Sequence, residues 1–458
     1  MSPVHECFFV LLYYIEMLGL TIIGGGLAGS EAAYQAACSG VDVTIHEMRP
    51  AKLTPAHKSG LLGELVCSNS LRSDLADTAH GLLKAELTMA NSLIMEAARA
   101  TAIPAGSALA VNRDEFALYI TKKLHNHPRI RIITEEVSQL PAPPSVIATG
   151  PLTSDALAAA LGKVTGESSL YFYDAIAPII DADTIDYDIA YYSSRYGKGG
   201  DDYLNCPMDE AAYNRFYDAL TEADSVAARD FEDIKVFEGC MPVEVMALRG
   251  KDTLRFGPMR PVGLPHPATG AMMHAVVQLR AENAQRSAFN MVGFQTRLRQ
   301  PQQQRVFRLI PGLQGAEFLR YGSIHRNTFI NSPLYLDRSL RLRSPQVDGA
   351  IYVAGQLTGV EGYIESTAMG LLAGIFAARD ILGMSQIEPP ADTACGALLA
   401  YITTPSKGGG FQPSNINFGL LPPLDKNIRD KGLKKQALVT RALQSWSGFV
   451  AATDRNAR

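Results

Sequence analysis

An α/β fold built on a parallel sheet and interrupted by a smaller α+β insertion follows from three observations on this 458-residue chain. An apolar strand, a glycine turn, a small-residue helix and a second strand ending in an acid succeed one another within residues 18–47. Strand and helix signals keep alternating to about Gly150. Far down the chain, Ile351-Tyr352-Val353-Ala354-Gly355-Gln356 forms another strand ending at a glycine, so the first theme returns after an intervening stretch of different composition.

The opening strand is Leu20-Thr21-Ile22-Ile23, apolar enough to be buried on both faces. Gly24-Gly25-Gly26-Leu27-Ala28-Gly29 then fits G-x-G-x-x-G, and a helix is expected at once over residues 30–39. Gly24 permits the tight turn, Gly26 lets backbone approach a pyrophosphate, and Gly29 lets helix pack on strand. Free N–H groups at the helix start then face the anion. Residues 41–47 make the second strand, and its last residue, Glu47, stands where an acid accepts both hydroxyls of an adenosine ribose. This is a Rossmann-like dinucleotide site, and the acid argues against a 2′-phosphate, so its ligand is FAD or NAD rather than NADP. Residues 145–150 read as a further buried strand beside the same site.

The length allows two or three packed units, and 47% hydrophobic with 19% charged residues describes a soluble globular protein. The apolar run at residues 7–15 resembles the core of a signal peptide, yet no basic segment precedes it and no small-residue cleavage site follows. Met17 is the expected natural start, and residues 1–17 are set apart as a non-native extension. Six cysteines (Cys7, Cys38, Cys67, Cys206, Cys240 and Cys395) lack C-x-x-C or zinc-ligand spacing, so neither a disulfide framework nor a metal site is expected. His125-Asn126-His127 before Pro128 reads as a solvated turn leading into a strand at 130–134.

Charge is unevenly spread. Residues 201–238 hold eleven acids against Arg215, Arg229 and Lys235, whereas residues 295–343 hold nine arginines against Glu317 and Asp337. Such a basic tract is either a solvated face or a landing site for phosphates. With Gly359 and a helix from about Glu365 following the late glycine strand, the expected organisation is a discontinuous dinucleotide domain at 18–175 and 331–440, an insertion domain at 176–330, and a tail at 441–458. A second glycine strand favours FAD over NAD, because a flavin also rests against a distant C-terminal segment.

Two cysteines have surroundings suited to chemistry. Cys67 lies in the polar run Gly63-Glu64-Leu65-Val66-Cys67-Ser68-Asn69-Ser70-Leu71-Arg72, and Cys240 lies between Gly239 and Met241-Pro242. Positive neighbours, free N–H groups or a helix start make a thiol reactive, whereas a buried cysteine is merely a small apolar residue, and the residues alone leave both readings open. Cys38 and Cys395, in alanine-rich surroundings, read as structural.

GGGLAGSEAA with HEMRP, ELVCSNSLR, GLLK, FEGCMPVEVM, LRFGPMRPVGL, FNMVGFQTRL, FRLIPGL, RYGSIHRNTFINSP and VAGQLTGVEGYIES together resemble the folate- and flavin-dependent tRNA (uracil-5-)-methyltransferase family, TrmFO. The resemblance runs from about Leu18 to Leu424. It departs from the family pattern at Asn112, where Asp is usual, at the triple glycine 408–410, and in the extension before Met17.

That resemblance implies methylation without S-adenosylmethionine. Carbon comes from 5,10-methylenetetrahydrofolate, electrons from NAD(P)H through FAD, and the acceptor is C5 of the T-loop uridine at tRNA position 54. Uracil C5 is a poor nucleophile until a thiolate adds to C6. The resemblance makes Cys240 that nucleophile and Cys67 the group that removes the C5 proton, with the two roles exchangeable. It puts FAD on Gly24, Gly25, Gly26, Leu27, Ala28, Gly29, Glu47 and Arg49, and on Gly355, Gln356, Gly359, Glu361 and Gly362. Arg297, Arg299, Arg305, Arg308, Arg320 and Arg326 become candidate tRNA contacts, and His325, Arg326 and Asn327 candidate pocket residues. A cytoplasmic enzyme with no membrane contact and no obligate protein partner is expected.

Three other readings compete with this one. The MnmG family, which modifies wobble uridines, shares the glycine fingerprint and paired cysteines but carries a long C-terminal helical region for which this chain ends too soon. A flavin dehydrogenase acting on a small molecule needs neither arginine tract nor second cysteine. A non-enzymatic flavin-bearing RNA-binding protein would be indifferent to both thiols.

Overall fold

The computed structural model describes residues 19–54, 56–166, 170–197, 200–225, 241–405, 411–425 and 428–453, without the side chains of 170–174 and 324–326. The extension at 1–17 and Cys240 lie outside the described residues. Five parallel strands form the central sheet in the order Ile351–Val353, Ser145–Ile147, Gly19–Ile23, Asp42–Glu47, Ile130–Thr134. Leu20, Ile22, Val43, Ile45, Val146 and Ile147 are all buried, as continuous apolar runs covered on both faces must be. The first strand is central. Its neighbours are the second strand on one side and a strand more than a hundred residues later on the other, so the chain reverses direction across it. A crevice opens at the carboxyl ends of the strands where that happens.

The first helix is Leu27–Cys38, starting earlier than residue 30 because Gly26, still in extended backbone, already serves as its N-cap. It crosses the long helix Tyr363–Ile381 at very short range: a Cβ on Gly370 would come within 2.3 Å of the Ala28 carbonyl oxygen, and one on Gly374 within 2.5 Å of the Ala32 carbonyl oxygen. Small residues on both helices hold the N-terminal and C-terminal parts of the sheet together.

The antiparallel ribbon Leu170–Ile176 with Ser323–Phe329 leads out of this unit and back into it. Between its two strands lies a six-stranded sheet in the order Tyr191–Tyr192, Tyr203–Met208, Ala275–Ala281, Ala288–Met291, Ile179–Asp181, Phe318–Arg320. It has its own core, in which Tyr213 and Phe216 of the helix Glu210–Thr221 meet Phe289, Phe294 and Phe307. A small sheet of Ser70–Ser73, Ala108–Val111 and Ala102–Ile103 stands beside the crevice.

Residue 441, where a separate tail was expected to start, lies inside the helix Lys431–Thr453. Leu438, Ala442, Trp446 and Phe449 recur at helical spacing and are buried, so this helix is an integral layer of the first core. Trp446 Nε1 donates to the Glu86 carbonyl at 2.7 Å, and its ring stacks on Phe449 with centroids 4.7 Å apart. Among the described residues no helix is long and apolar enough to cross a membrane.

Candidate functional site

The glycine turn lines one end of a cleft enclosing ≈ 980 Å³, open solvent at its mouth included. Gly24 N–H donates to the His46 carbonyl at 2.8 Å, tying the turn to the second strand. A Cβ on Gly29 would lie 1.8 Å from the Gly24 carbonyl oxygen, whereas one on Gly26 would meet no heavy atom within 4 Å. The empty side of Gly26 faces the cleft, and Leu27 and Ala28 line it as the helix begins. No side chain caps this helix, so its first N–H groups are left for an anion. The arrangement fits a pyrophosphate.

Glu47 ends the second strand buried and closely held. Its carboxylate accepts Gly25 N–H at 2.8 Å, Arg49 N–H at 3.0 Å, Arg49 Nε at 2.9 Å and Arg49 Nη2 at 3.0 Å. Arg49 also reaches Glu64 at 3.3 Å. Burial works to raise the Glu47 carboxyl, but the Arg49 hydrogen bonds and charge and the Gly25 N–H outweigh it and hold the group below its ordinary range. About four lone-pair directions exist on a carboxylate, and here each has a donor. A ribose at Glu47 therefore exchanges with a protein donor rather than finding free oxygens.

His57, which the sequence does not single out, lines the same cleft with Nδ1 2.7 Å from Thr54 Oγ1. Burial and then the Arg49 charge push its imidazole down to about 4. Unfolded histidine titrates near 6.5, so between about pH 6.5 and 4 the unfolded chain binds the extra proton and stability falls as pH falls through that window. Denaturation midpoints measured from pH 7 to 4 are expected to fall less steeply in His57→Gln than in wild type, by up to about 1.4 kcal/mol per pH unit. Equal slopes would show that the ring does not carry this dependence.

Val66, Pro151, Leu152, Gln356 and Tyr363 line both this cleft and a second chamber of ≈ 1230 Å³, open solvent included, so the two share a wall. Cys67, half-buried, lies in the second chamber. Its backbone N–H and that of Ser68 donate to Tyr363 Oη at 2.8 and 3.1 Å. Three largely buried guanidiniums are within electrostatic reach of the thiol: Arg113, Arg280 and Arg320. Arg280 is fixed by Asn69 Oδ1 at 2.9 Å and Ser68 Oγ at 2.7 Å, Arg113 by Glu282 at 2.9 Å, and Arg320 by the Val66 carbonyl at 2.8 Å. Surroundings of this sign stabilise a thiolate. Arg72, the cation nearest in sequence, instead turns to His80 at 3.1 Å from a strained backbone with φ +63°.

Of the C-terminal residues assigned to the cofactor, Gly355 lines the dinucleotide cleft and Gly359 lines neither cavity. Gly355 abuts Ala28, Gly359 faces the Phe411 ring, and Gln356 Nε2 donates to Glu361 at 2.8 Å. Gln356, Glu361 and Gly362 line the chamber, with Asn327 between the two units. Glu365 is fully buried there, and its Oε2, like Asn290 Nδ2, has no hydrogen-bond partner among the described residues. Both residues line the chamber, so its wall holds buried polar groups whose hydrogen-bonding capacity the described residues leave unused.

The arginine tract is not one surface. Arg320 points inward to Cys67, Arg308 donates to the Ala316 carbonyl at 3.0 Å, and Arg297 lies 3.7 Å from Glu244. Arg299 and Arg305 are exposed, and the side chains of His325 and Arg326 are outside those described. Of the cysteines read as structural, Cys395 is buried but Cys38, at the end of its helix, is exposed.

A family model described as glucose inhibited division protein A matches residues 19–385. In three dimensions the chain is similar to Aquifex aeolicus GidA, with a TM-score of 0.69 over 96% of this chain and 75% of that one at 16% identity, a likeness of fold. The methylenetetrahydrofolate–tRNA-(uracil-5-)-methyltransferase TrmFO of Heliobacterium modesticaldum is 56% identical over 433 residues, 94% of this chain and 98% of the relative. That of Geotalea uraniireducens is 58% identical over 435 residues, with the same shares. Matched by these relatives over 94% of its length and by the family model over residues 19–385, the chain belongs to the TrmFO family.

Proposed function

We infer that this protein methylates C5 of uracil in tRNA, taking carbon from methylenetetrahydrofolate, with FAD in the cleft and NAD(P)H as reductant. The acceptor we assign is the T-loop uridine at position 54. The reading is supported by relatives that carry this activity in their names over nearly their whole length. The observation on this chain that supports it is the placement of Cys67, with Arg113, Arg280 and Arg320 around it, in a chamber that shares a wall with the dinucleotide cleft.

The turn Gly24 to Gly29 and the N–H groups of the first helix hold the pyrophosphate, Glu47 and Arg49 stand at the adenosine end, and Gly355, Gln356, Glu361 and Gly362 close the other side. Bound there, FAD supplies the electrons that turn a one-carbon unit at the methylene level into a methyl group. Cys240 adds its sulfur to C6 of uracil, which moves an electron pair onto C5, and C5 uses that pair to bond the one-carbon unit as the unit leaves its carrier nitrogen. Cys67, set among guanidiniums, takes the proton that C5 must lose, and the C6–S bond then breaks to restore the ring. Exposed Arg299 and Arg305 contact phosphates of the T-arm, and the enzyme works in the cytoplasm with its tRNA.

Labelled methylenetetrahydrofolate incubated with the enzyme, NADH, FAD and unmodified tRNA is expected to put label into 5-methyluridine, and into none when position 54 is cytidine. Bound flavin and NADH oxidation without any label in RNA would overturn the reading.

A further inference from the structure

Two short helices follow Cys240 in the chain, Val243–Leu248 and Thr253–Phe256. The second carries the most exposed large apolar side chain among the described residues, Phe256, with 83% of its surface open, and Leu248 is 66% open nearby. With Phe256 and Leu248 both exposed, this short segment presents apolar surface from two of its side chains.

The ring does not sit on a loose loop. Tyr213 and Tyr217, from the helix Glu210–Thr221, hydrogen-bond the backbone carbonyls of Lys251 and Ala247, the latter at 3.1 Å, and Arg255 Nε donates to the His274 carbonyl at 2.9 Å. Phe256 therefore stands on a braced platform. Around it runs an open groove lined by Met241, Met246, Arg249, Lys251, Thr253 and Phe256, and so beginning one residue after Cys240. Arg249, Lys251 and Arg260 are exposed and bond to no acid among the described residues, because the local acid, Asp252, is taken by Arg255 at 2.6 Å.

Arg249 and Lys251 in the groove of a braced, exposed ring, with no acid bonded to them among the described residues and in a chain whose formal charge is −4, suit a polyanion that also has flat apolar faces. Single-stranded nucleic acid is such a ligand: its bases stack on aromatic side chains while its phosphates take the cations. We propose that this platform is a second RNA contact, in which Phe256 stacks on an unpaired base of the tRNA and Arg249, Lys251 and Arg260 neutralise the adjoining phosphates. This rests on the tRNA-methyltransferase reading above. It assigns the groove the task of holding the strand next to the target uridine once that nucleotide has left its stack.

The test uses full-length, flavin-loaded enzyme and unmodified tRNA. Phe256→Ala is expected to weaken tRNA binding about tenfold and to raise KM for tRNA with kcat nearly unchanged. Phe256→Trp restores affinity, which a purely structural role would not allow. Arg249→Ala with Lys251→Ala is expected to lower the slope of log affinity against log salt by about 1.4 to 1.8. Flavin content and NADH oxidation stay at wild-type levels in all three. Wild-type affinity and salt slope in both alanine variants would overturn the proposal, as would loss of a dimer in Phe256→Ala with tRNA affinity intact, which would give the face to a second copy of the chain. Wild-type enzyme that puts no folate carbon into tRNA overturns the parent reading instead.

Discussion

Cys67→Ala is expected to lower 5-methyluridine formation by about 10² to 10⁴-fold while the protein keeps its flavin and still oxidises NADH. The reason is local. Arg113, Arg280 and Arg320 converge on the thiol from three separate parts of the chain, and each is anchored by a hydrogen bond that does not involve sulfur. Removing the sulfur leaves that scaffold standing, so folding and the dinucleotide cleft survive while the proton acceptor is gone. Cys67→Ser keeps the shape of the side chain but not its acidity, and should be nearly as inactive. Mass-spectrometric counting of 5-methyluridine per enzyme, alongside flavin absorbance, gives the comparison. Transfer by Cys67→Ala within tenfold of wild type would remove the residue from the proton path.

Gly29→Ala is expected to yield unstable, flavin-free protein, and Gly26→Ala folded protein with weakened flavin binding. At Gly29 the new methyl would sit 1.8 Å from a backbone oxygen, a clash no rotamer relieves. The first helix must shift outward, which also disturbs its crossing with Gly370 and Gly374. Overpacking of this kind costs about 1–3 kcal/mol or more. At Gly26 the methyl enters open space from a backbone with φ −71°, which alanine adopts freely. Its cost appears only when a pyrophosphate tries to come as close as bare backbone allows. Thermal melts of apoprotein and flavin titrations separate the two. A Gly29→Ala variant that binds flavin like wild type would show that the turn and helix can spread apart freely.

The parallel sheet, its glycine turn and the acid at the end of the second strand were legible in the sequence because each obeys a constraint local to a few residues. A buried strand must be apolar, and a close approach must lack a Cβ. What closes Glu47 was less legible: HEMRP was quoted as a motif, yet only the fold reveals that Arg49 curls back on its own strand and occupies the carboxylate. The electrostatics around Cys67 were further from view. Arg72, five residues away, was the natural candidate, but the bond from Arg280 to Asn69 spans 211 residues and the one from Arg320 to Val66 spans 254. No window along the chain contains such pairs. The arginine tract misled for a related reason: like charges adjacent in sequence point in different directions once strand and helix alternate, so one tract supplies a residue to the Cys67 chamber, braces to the backbone and a few exposed cations. His57 gave no signal, since a lone histidine has no pattern until it is buried.

The C-terminal helix has a consequence for how the molecule is made. The strand Ile351–Val353 completes the sheet begun at Gly19, and Trp446 seals a layer against Glu86, so the first core closes only when segments 360 residues apart have met. The inserted sheet, by contrast, has its whole core between Ile180 and Ala316 and can consolidate while synthesis continues. A nascent chain stalled before residue 351 would carry a folded middle flanked by a sheet that still lacks its edge strand and the Gly355 side of the cleft. Cofactor capture therefore waits on the late glycine strand, long after the glycine turn itself has been made, and the last helix adds the layer that covers the finished core.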